Sequence, residues 1–537
     1  MERPAGDPPE TRLAYGIFQG GGARGFAHLG ALQALEDLKF SFLGVAGTSA
    51  GAIVAAFAAV GYKSKELYDP DHPEGHVLAA FGSPIDLLGR RSWQNVKNAR
   101  AAFSDRTSWF HLPRWMRRGG SGMKLVRLLM RDKGLLSSAK FIEVVNELLR
   151  RRLVLNYSAA GAGTFSEKHV RFKHVNRFSP NCTNLKIIVT DLARNRVVVY
   201  SSEDTPDVIV AEAVAASAAV PLLFRPVGVE WPGGDRGEIY VDGGLSSNLP
   251  IWVFSDEKRA DARVFGNVPT IGFAFQERPV VPTLERLKFA LPDLLLRIAA
   301  ATLSTGQSVT QDFVEDLVVI PLPCRLSLLD IDAGYEPISQ AYRAAYDYAR
   351  DRLDFVFNRR PQAIRRVLEA FRADALRELK ILGAPPDVAC RVCAIEPVRS
   401  RYGQAKPRSF RVTESLGFEN DTDDRLFLDA GNSGAPRAYL LRQPVVWESP
   451  SSEGGPSPAE HMTKYERALV RRTLRCALSI PVFDEVKNWQ RPPLDRAYPT
   501  GIISIDSDAD LRNYFSNTGF WRALVDKTVL LKDVFGK

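Results

Sequence analysis

The sequence predicts an α/β domain with a mostly parallel central sheet, followed by a C-terminal α+β domain. Near the N-terminus, apolar strands alternate with glycine turns and helices, and short apolar β-type runs recur up to residue 321. After residue 361 the pattern changes to short strands separated by polar loops. The 537 residues are 45% apolar and 25% charged, which excludes a largely disordered or fibrous chain.

Hydrophobic periodicity predicts the elements of the first domain. Residues 13–19 form a buried strand, a glycine turn opens a helix ending at residue 36, and a second strand, 40–47, leads into a small-residue helix, 50–60. Further strands are predicted at 185–191, 197–200, 239–241, 270–275 and 317–321, and helices at 208–219, 284–302 and 340–357. We expect residues 1–12 to be flexible and the helical pattern to break at Arg359-Arg360-Pro361. The predicted domains are therefore 13–360 and 361–537.

The C-terminal third contains a helix at 362–382, strands at 474–481 and 499–506 joined by a long turn, and a helix at 511–525. The stretch 449–458 is rich in Pro, Ser and Gly and is expected to be mobile. Cys390 and Cys393 form a lone C-x-x-C, which lacks the second pair that a zinc site needs. Because side chains alternate along a strand, we expect the two thiols on opposite faces, as core residues.

The net charge of +9 is concentrated in one segment. Residues 90–152 contain 16 Lys or Arg and 4 Asp or Glu, a net charge of +12, together with three of the eight Trp. The composition of this basic aromatic insertion is typical of a segment that binds an anionic membrane or nucleic acid. We predict that it binds membranes through the residues around Arg114, Trp115, Arg117 and Arg118. The alternative is a solvated helical face whose Trp side chains are anchored in the core.

Five scattered cysteines do not form a disulfide framework and favour a reducing cytosol. The N-terminus lacks the apolar core of a signal peptide, and the most apolar stretches, 50–61 and 291–303, are too short or too interrupted to cross a bilayer. We expect a cytoplasmic protein that associates with membranes peripherally when active.

Gly20, Gly22 and Gly25 satisfy G-x-G-x-x-G between a strand and a helix, a pattern typical of dinucleotide binding. That function also requires a carboxylate at the end of the second strand. Here the strand ends in Gly47-Thr48-Ser49-Ala50-Gly51, which contains none, so dinucleotide binding is disfavoured.

Gly47-Thr48-Ser49-Ala50-Gly51 is itself a G-x-S-x-G at a strand-to-helix junction, where a sharp turn exposes a nucleophilic Ser. A base must accept the Ser proton. Six of the seven His lie between positions 28 and 174, and the late His461 belongs to the other domain. Asp242, followed by Gly243 and Gly244 after a strand, is the better candidate, although Asp-Gly is also a common hairpin turn.

Three motifs in this order, Gly20-Gly21-Gly22-Ala23-Arg24-Gly25, Gly47-Thr48-Ser49-Ala50-Gly51 and Asp242-Gly243-Gly244, resemble the patatin-like phospholipase family over residues 13–357. The resemblance implies the patatin-like three-layer α/β fold and a lipid acyl hydrolase of the phospholipase A or lysophospholipase type. It implies a dyad in which Ser49 is the nucleophile and Asp242 the base, without metal or other cofactor. The loop from Gly20 to Gly25 would form the oxyanion hole, chiefly through the Gly21 and Gly22 N–H groups, with Arg24 steadying the loop or a lipid phosphate. The alternatives are an inactive patatin-like scaffold and a nucleic-acid or membrane-binding protein that uses the basic insertion.

The stretches 475–484 and 500–506 resemble the paired central strands of a GAF-type sensor domain; the alternative is an unrelated α+β accessory domain. The resemblance implies regulation of access to Ser49 by residues 361–537. The expected partners are a phospholipid or other acyl lipid, an anionic membrane surface, a small-molecule effector such as a nucleotide, and a second copy of the chain.

Overall fold

The computed structural model describes residues 11–72, 134–160, 164–178, 183–229, 239–265, 268–276, 317–328, 330, 332–398, 407, 409–417, 427–429, 434–448, 474–532 and 535. The chain divides into two compact units, Met1–Leu353 and Asp354–Lys537.

The first unit contains a seven-stranded sheet and a separate two-stranded one. Its strands are β1 (Arg12–Phe18), β2 (Phe40–Thr48), β3 (Gly134–Leu136), β4 (Asn184–Asp191), β5 (Arg196–Tyr200), β6 (Leu222–Phe224), β7 (Tyr240–Asp242), β8 (Thr270–Phe275) and β9 (Leu317–Leu322). Its helices are α1 (Gly25–Asp37), α2 (Ala50–Ala59), α3 (Ser64–Leu67), α4 (Ala139–Ala159), α5 (Phe172–Phe178), α6 (Val210–Ser217), α7 (Ser255–Phe265) and α8 (Tyr335–Asp354). The expected α/β fold class is confirmed.

The main sheet has the order β5-β4-β2-β1-β8-β9, and β7 pairs with β4. The pairs β1–β2, β1–β8, β2–β4 and β8–β9 are parallel, so the sheet is mostly parallel as predicted. All residues of β4 and β8 are buried, which is typical of a parallel sheet covered on both faces.

The position of β7 depends on the length of β2. Along β4, the last partner from β2 is Thr48, opposite Ile188, and the next position, Val189, pairs with Asp242. β5 pairs with the other edge of β4. β7 therefore pairs with the part of β4 that extends beyond the carboxyl end of β2. The two candidate catalytic segments therefore meet at one point of the sheet.

The second unit is built around a six-stranded sheet of order β12-β11-β10-β15-β14-β13, in which every neighbouring pair is antiparallel. The strands are β10 (Arg391–Val398), β11 (Ser409–Leu416), β12 (Phe427–Asp429), β13 (Val445–Glu448), β14 (Cys476–Val482) and β15 (Gly501–Ser507). The helices are α9 (Arg360–Ile381), α10 (Gly434–Leu441), α11 (Arg512–Phe515) and α12 (Thr518–Thr528).

The two faces of this sheet pack into different clusters of buried side chains. One cluster unites α9 and α12 with Cys390, and the other contains Cys393 with Tyr439 of α10. The expectation that the two thiols lie in the core on opposite faces is confirmed. The helices predicted at 362–382 and 511–525 correspond to α9 and to α11 with α12, and they pack against the same face of the sheet.

The expected break of the helical pattern at Arg359-Arg360-Pro361 is wrong. Phe355–Arg359 form a π-helical turn, and α9 begins at Arg360, so that Pro361 lies in its first turn. Proline lacks an N–H group, and the first turn of a helix tolerates that loss because its N–H groups have no intrahelical acceptor. The predicted helix 284–302 and the loop 449–458 lie outside the described residues.

Candidate active site

The backbone of Ser49 is held in a turn between β2 and α2 that is unfavourable for a residue with a side chain. Its φ is 54° and its ψ is −123°. A Cβ added to Gly47 would lie 2.2 Å from the carbonyl oxygen of Gly51, and one added to Gly51 would lie 2.1 Å from that of Phe18. Both glycines of the G-x-S-x-G pattern are therefore required by close backbone contacts, and a strained φ of this kind is typical of functional sites.

Asp242 lies next to this turn and is almost fully buried, with 1% of its surface exposed. Its Oδ1 accepts a hydrogen bond of 2.8 Å from the Gly244 N–H, and the Ser49 side chain lies near enough to favour the ionised carboxylate. Burial raises the pKa of Asp242 to about 6, against the lowering effects of the Gly244 N–H and the Ser49 side chain. The structure thus brings the predicted nucleophile and base together, and the carboxyl group can take or release a proton near neutral pH.

The close approach of Asp242 depends on the glycines that follow it. A Cβ on Gly243 would lie 2.1 Å from the carbonyl oxygen of Ile188, on the neighbouring strand. Thr190 donates from its hydroxyl to the Asp242 carbonyl oxygen at 3.0 Å, and Thr48 donates to the carbonyl oxygen of Ser247 at 2.9 Å. These bonds hold the Asp242 segment against both β4 and the Ser49 turn.

The glycine loop presents two unused N–H groups. The Gly20 N–H donates to the Asn248 carbonyl oxygen at 3.1 Å, and the Ala23 N–H donates to that of Leu328 at 3.2 Å. Within the described part of the chain, the N–H groups of Gly21 and Gly22 have no acceptor. They are the donors expected to face a developing oxyanion.

The shape of this loop is fixed by its surroundings. Gly22 has φ +54°, and a Cβ there would lie 2.2 Å from the Leu328 carbonyl oxygen. Arg24 donates from Nε to the Gly21 carbonyl oxygen at 3.4 Å, and its guanidinium lies 4.5 Å from the centre of the Phe275 ring. A Cβ on Gly25 would lie 3.0 Å from the Ala50 Cβ, so the loop packs directly on the start of α2.

Ser217, at the end of α6, is a further part of the site that sequence analysis did not identify. Its buried hydroxyl accepts from the Ser49 N–H at 2.9 Å and donates to the Ile188 carbonyl oxygen at 2.6 Å. The bond to Ser49 joins residues 168 positions apart. The sequence signal that could have indicated it is the stretch 216–226, which also resembles the patatin-like family.

The described histidines do not supply a base for Ser49. His28 is fully buried, its Nε2 lies 2.8 Å from the Gln19 carbonyl oxygen, and burial lowers its pKa to about 4. In the part of the chain that the structure describes, no histidine hydrogen-bonds to Ser49. His461 lies outside it.

The predicted membrane residues Arg114, Trp115, Arg117 and Arg118 lie outside the described residues. At the end of the basic insertion, Arg150 and Arg151 pair with Glu147, and Arg152 pairs with Glu66. Across the described ranges, no helix is long and apolar enough to cross a membrane. The same ranges contain no group of three or more His, Cys, Asp or Glu placed to hold a metal ion.

Comparison with known proteins identifies the family of the first unit. A model of the family described as patatin-like phospholipase matches residues 16–255. The uncharacterized protein YqhO of Bacillus subtilis is 32% identical over 249 residues, which cover 45% of this chain and 67% of that protein. The uncharacterized protein R571 of Acanthamoeba polyphaga mimivirus is 24% identical, over 46% of this chain and 63% of that protein. An uncharacterized NTE family protein of Mycobacterium tuberculosis is 45% identical over 53 residues, 10% of this chain and 14% of that protein.

Two solved structures are similar to the chain. VipD from Legionella pneumophila gives a TM-score of 0.34 at 18% identity, covering 64% of this chain and 67% of VipD. The type III effector protein ExoU gives 0.31 at 17% identity, covering 64% of this chain and 53% of ExoU. With the family model and the relative from Bacillus subtilis taken together, the chain belongs to the patatin-like phospholipase family.

Proposed function

We propose that the protein hydrolyses the acyl esters of lipids, with Ser49 as nucleophile and Asp242 as general base. The observation that carries the proposal is the placement of the buried Asp242 carboxylate beside the Ser49 turn: Thr48 and Asp242 pair with consecutive residues of β4, and the Ser49 side chain is near enough to lower the pKa of Asp242. A serine is a weak nucleophile until an adjacent base accepts its proton, and the position of Asp242 supports it as that base.

Each step of the reaction has a group to perform it. The Ser49 oxygen attacks the ester carbonyl and its proton passes to Asp242, while the Gly21 and Gly22 N–H groups stabilise the negative carbonyl oxygen. The tetrahedral intermediate collapses, and the leaving alcohol takes the proton from Asp242. A water molecule, deprotonated by Asp242, then attacks the acyl-Ser49 ester and releases the fatty acid, with the proton returned to Ser49. With a pKa of about 6, Asp242 is largely ionised at pH 7 and accepts a proton readily.

A phospholipid or lysophospholipid is the substrate class that family membership favours. The basic insertion, residues 90–152, would dock the enzyme reversibly on an anionic membrane, since its net charge is +12 and basic residues near such a surface each contribute about 1 kcal/mol. On this proposal the enzyme is cytoplasmic and binds the membrane only while it acts. Binding to anionic vesicles should weaken in high salt, and equal binding to neutral vesicles would contradict the electrostatic mechanism.

Regulation by the second unit is part of the proposal. Its antiparallel sheet with helices on both faces agrees with a GAF-type or other α+β sensor domain. A small molecule that binds one state of the protein better than another would shift access to Ser49 by its difference in affinity. A chain ending at residue 357, once shown to be folded by circular dichroism, should differ from the full chain in basal hydrolysis or in its response to nucleotides. Identical behaviour would refute the regulatory role.

The catalytic proposal is tested with purified full-length protein and phospholipid vesicles or a short acyl ester. Ser49→Ala should abolish fatty acid release and labelling by a fluorophosphonate probe, because both require the hydroxyl. Ser202→Ala is the matched control, since its hydroxyl bonds to Asn184 at the first position of β4, away from the site. Hydrolysis at the wild-type rate in Ser49→Ala would exclude Ser49 as the nucleophile.

A further inference from the structure

The carboxamide of Asn248 lies beside Ser49 and has no part in the chemistry proposed above. A Cβ added to Gly20 would lie 2.4 Å from Asn248 Oδ1 and 3.2 Å from the Ser49 Cβ. The carboxamide and the nucleophilic side chain therefore border the same side of Gly20. The main chain of Asn248 fixes this arrangement, because its carbonyl oxygen accepts the Gly20 N–H.

This side chain has unused hydrogen-bonding capacity. Asn248 is 7% exposed, and its Oδ1 is buried without a partner in the described part of the chain. Those same residues offer no acceptor to Nδ2, which, unlike Oδ1, keeps some contact with solvent. The oxygen is thus wedged against Gly20, and the amide nitrogen occupies the accessible side.

An unpaired buried polar atom lowers stability, so native proteins retain few of them, often at functional sites. The accessible end of this side chain is a donor, whereas a lipid ester offers only acceptors near its reacting carbon. An N–H group held next to Ser49 therefore matches the oxygen that gains negative charge in the reaction.

We propose that Asn248 is a further catalytic residue, whose Nδ2 donates a hydrogen bond to the carbonyl oxygen of the ester as Ser49 attacks it. This inference rests on the proposed function. Nδ2 would act beside the N–H groups of Gly21 and Gly22 as a third donor. The side chain is already ordered by its contact with Gly20, so little reorganisation is needed during the reaction.

The test is Asn248→Ala in the full chain, because the backbone bond between Gly20 and residue 248 does not depend on the side chain. We expect kcat for an acyl ester to fall about 100-fold, as on removal of other oxyanion donors, with a smaller change in KM. The control is Asn176→Ala, whose side chain donates to Ser202 Oγ at 3.1 Å, near the first residue of β4. That variant should keep the wild-type rate.

A second measurement separates donation from positioning. The ratio of kcat/KM for the ester to that for its thionoester, which carries sulfur in place of the carbonyl oxygen, should fall in Asn248→Ala, since sulfur accepts hydrogen bonds poorly. The ratio does not depend on the amount of folded enzyme. Wild-type kcat in the variant would overturn the proposal, as would a lower rate with an unchanged ratio.

If Asn248→Ala does not fold, Asn248→Asp, which has the same shape but no N–H, gives the same test, and wild-type activity in it would overturn the assignment. A wild-type protein that neither hydrolyses esters nor reacts with a fluorophosphonate would overturn the proposed function itself. Failure of the two ideas is therefore distinguishable.

Discussion

Replacing Asp242 with asparagine should stabilise the protein at neutral pH while abolishing hydrolysis. Asparagine has the same shape, and its Oδ1 can still accept the hydrogen bond from the Gly244 N–H, which is 2.8 Å long in the native protein. Its Nδ2 can donate to the Ser49 oxygen, which lies near the carboxylate in the native protein. An amide cannot take up the Ser49 proton, so the fold is retained and the chemistry is lost.

The size of the stabilisation follows from the pKa of the carboxyl group. Burial raises the pKa of Asp242 from 3.8 to about 6, so the folded protein holds this proton more tightly than the unfolded chain. Ionisation of Asp242 therefore lowers the free energy of unfolding, progressively as pH rises from 3.8 to about 6. Above about pH 6 this loss of stability no longer changes with pH. At about 1.4 kcal/mol per pKa unit, the penalty above pH 6 is about 3 kcal/mol.

The assay is denaturant unfolding of the wild type and Asp242→Asn at pH 4 and pH 8, with Asp347→Asn as a control at an exposed carboxylate. The free energy of unfolding of Asp242→Asn should exceed that of the wild type by up to about 3 kcal/mol at pH 8 and by little at pH 4. In the wild type, kcat/KM should rise with pH through about 6 and then level off, because the base must be ionised. A destabilised Asp242→Asn at pH 8, or a gain equal at both pH values, would refute the reasoning.

Three further predictions concern other parts of the molecule. Ser217→Ala leaves the Ser49 N–H without its acceptor, so we expect the free energy of unfolding to fall by about 1–3 kcal/mol and fluorophosphonate labelling to slow. An unchanged labelling rate would exclude a role of Ser217 in holding the Ser49 turn. Gly22→Ala places a Cβ 2.2 Å from a backbone carbonyl oxygen at a residue with φ +54°, so activity should be lost. Gly334→Ala, whose Cβ would have no heavy atom within 4 Å, should keep activity. Equal vesicle hydrolysis by the two variants would contradict the packing argument. Burial raises the pKa of Cys390 to about 12, so its thiol should resist iodoacetamide at pH 8 until the protein is unfolded, which mass spectrometry of the modified peptides would show.

The sequence by itself determined the features that depend on neighbouring residues. The alternation of strand, glycine turn and helix is a local pattern, and β1, α1, β2 and α2 occur where periodicity predicted them. The glycines on either side of Ser49 could be interpreted because a sharp turn has the same steric requirements in any protein. The alternation of side chains in a strand likewise separated Cys390 from Cys393.

Only the tertiary structure decided which distant segments meet at Ser49. Sequence order does not reveal that β7 pairs with β4 beyond the end of β2, which sets Asp242 beside Ser49. The contacts of Ser217 with Ser49 and of Asn248 with Gly20 join residues far apart along the chain, and the sequence alone does not show these contacts. Hydrogen bonds and close packing of this kind act between atoms that folding brings together, whereas propensity and periodicity describe only residues that are already neighbours.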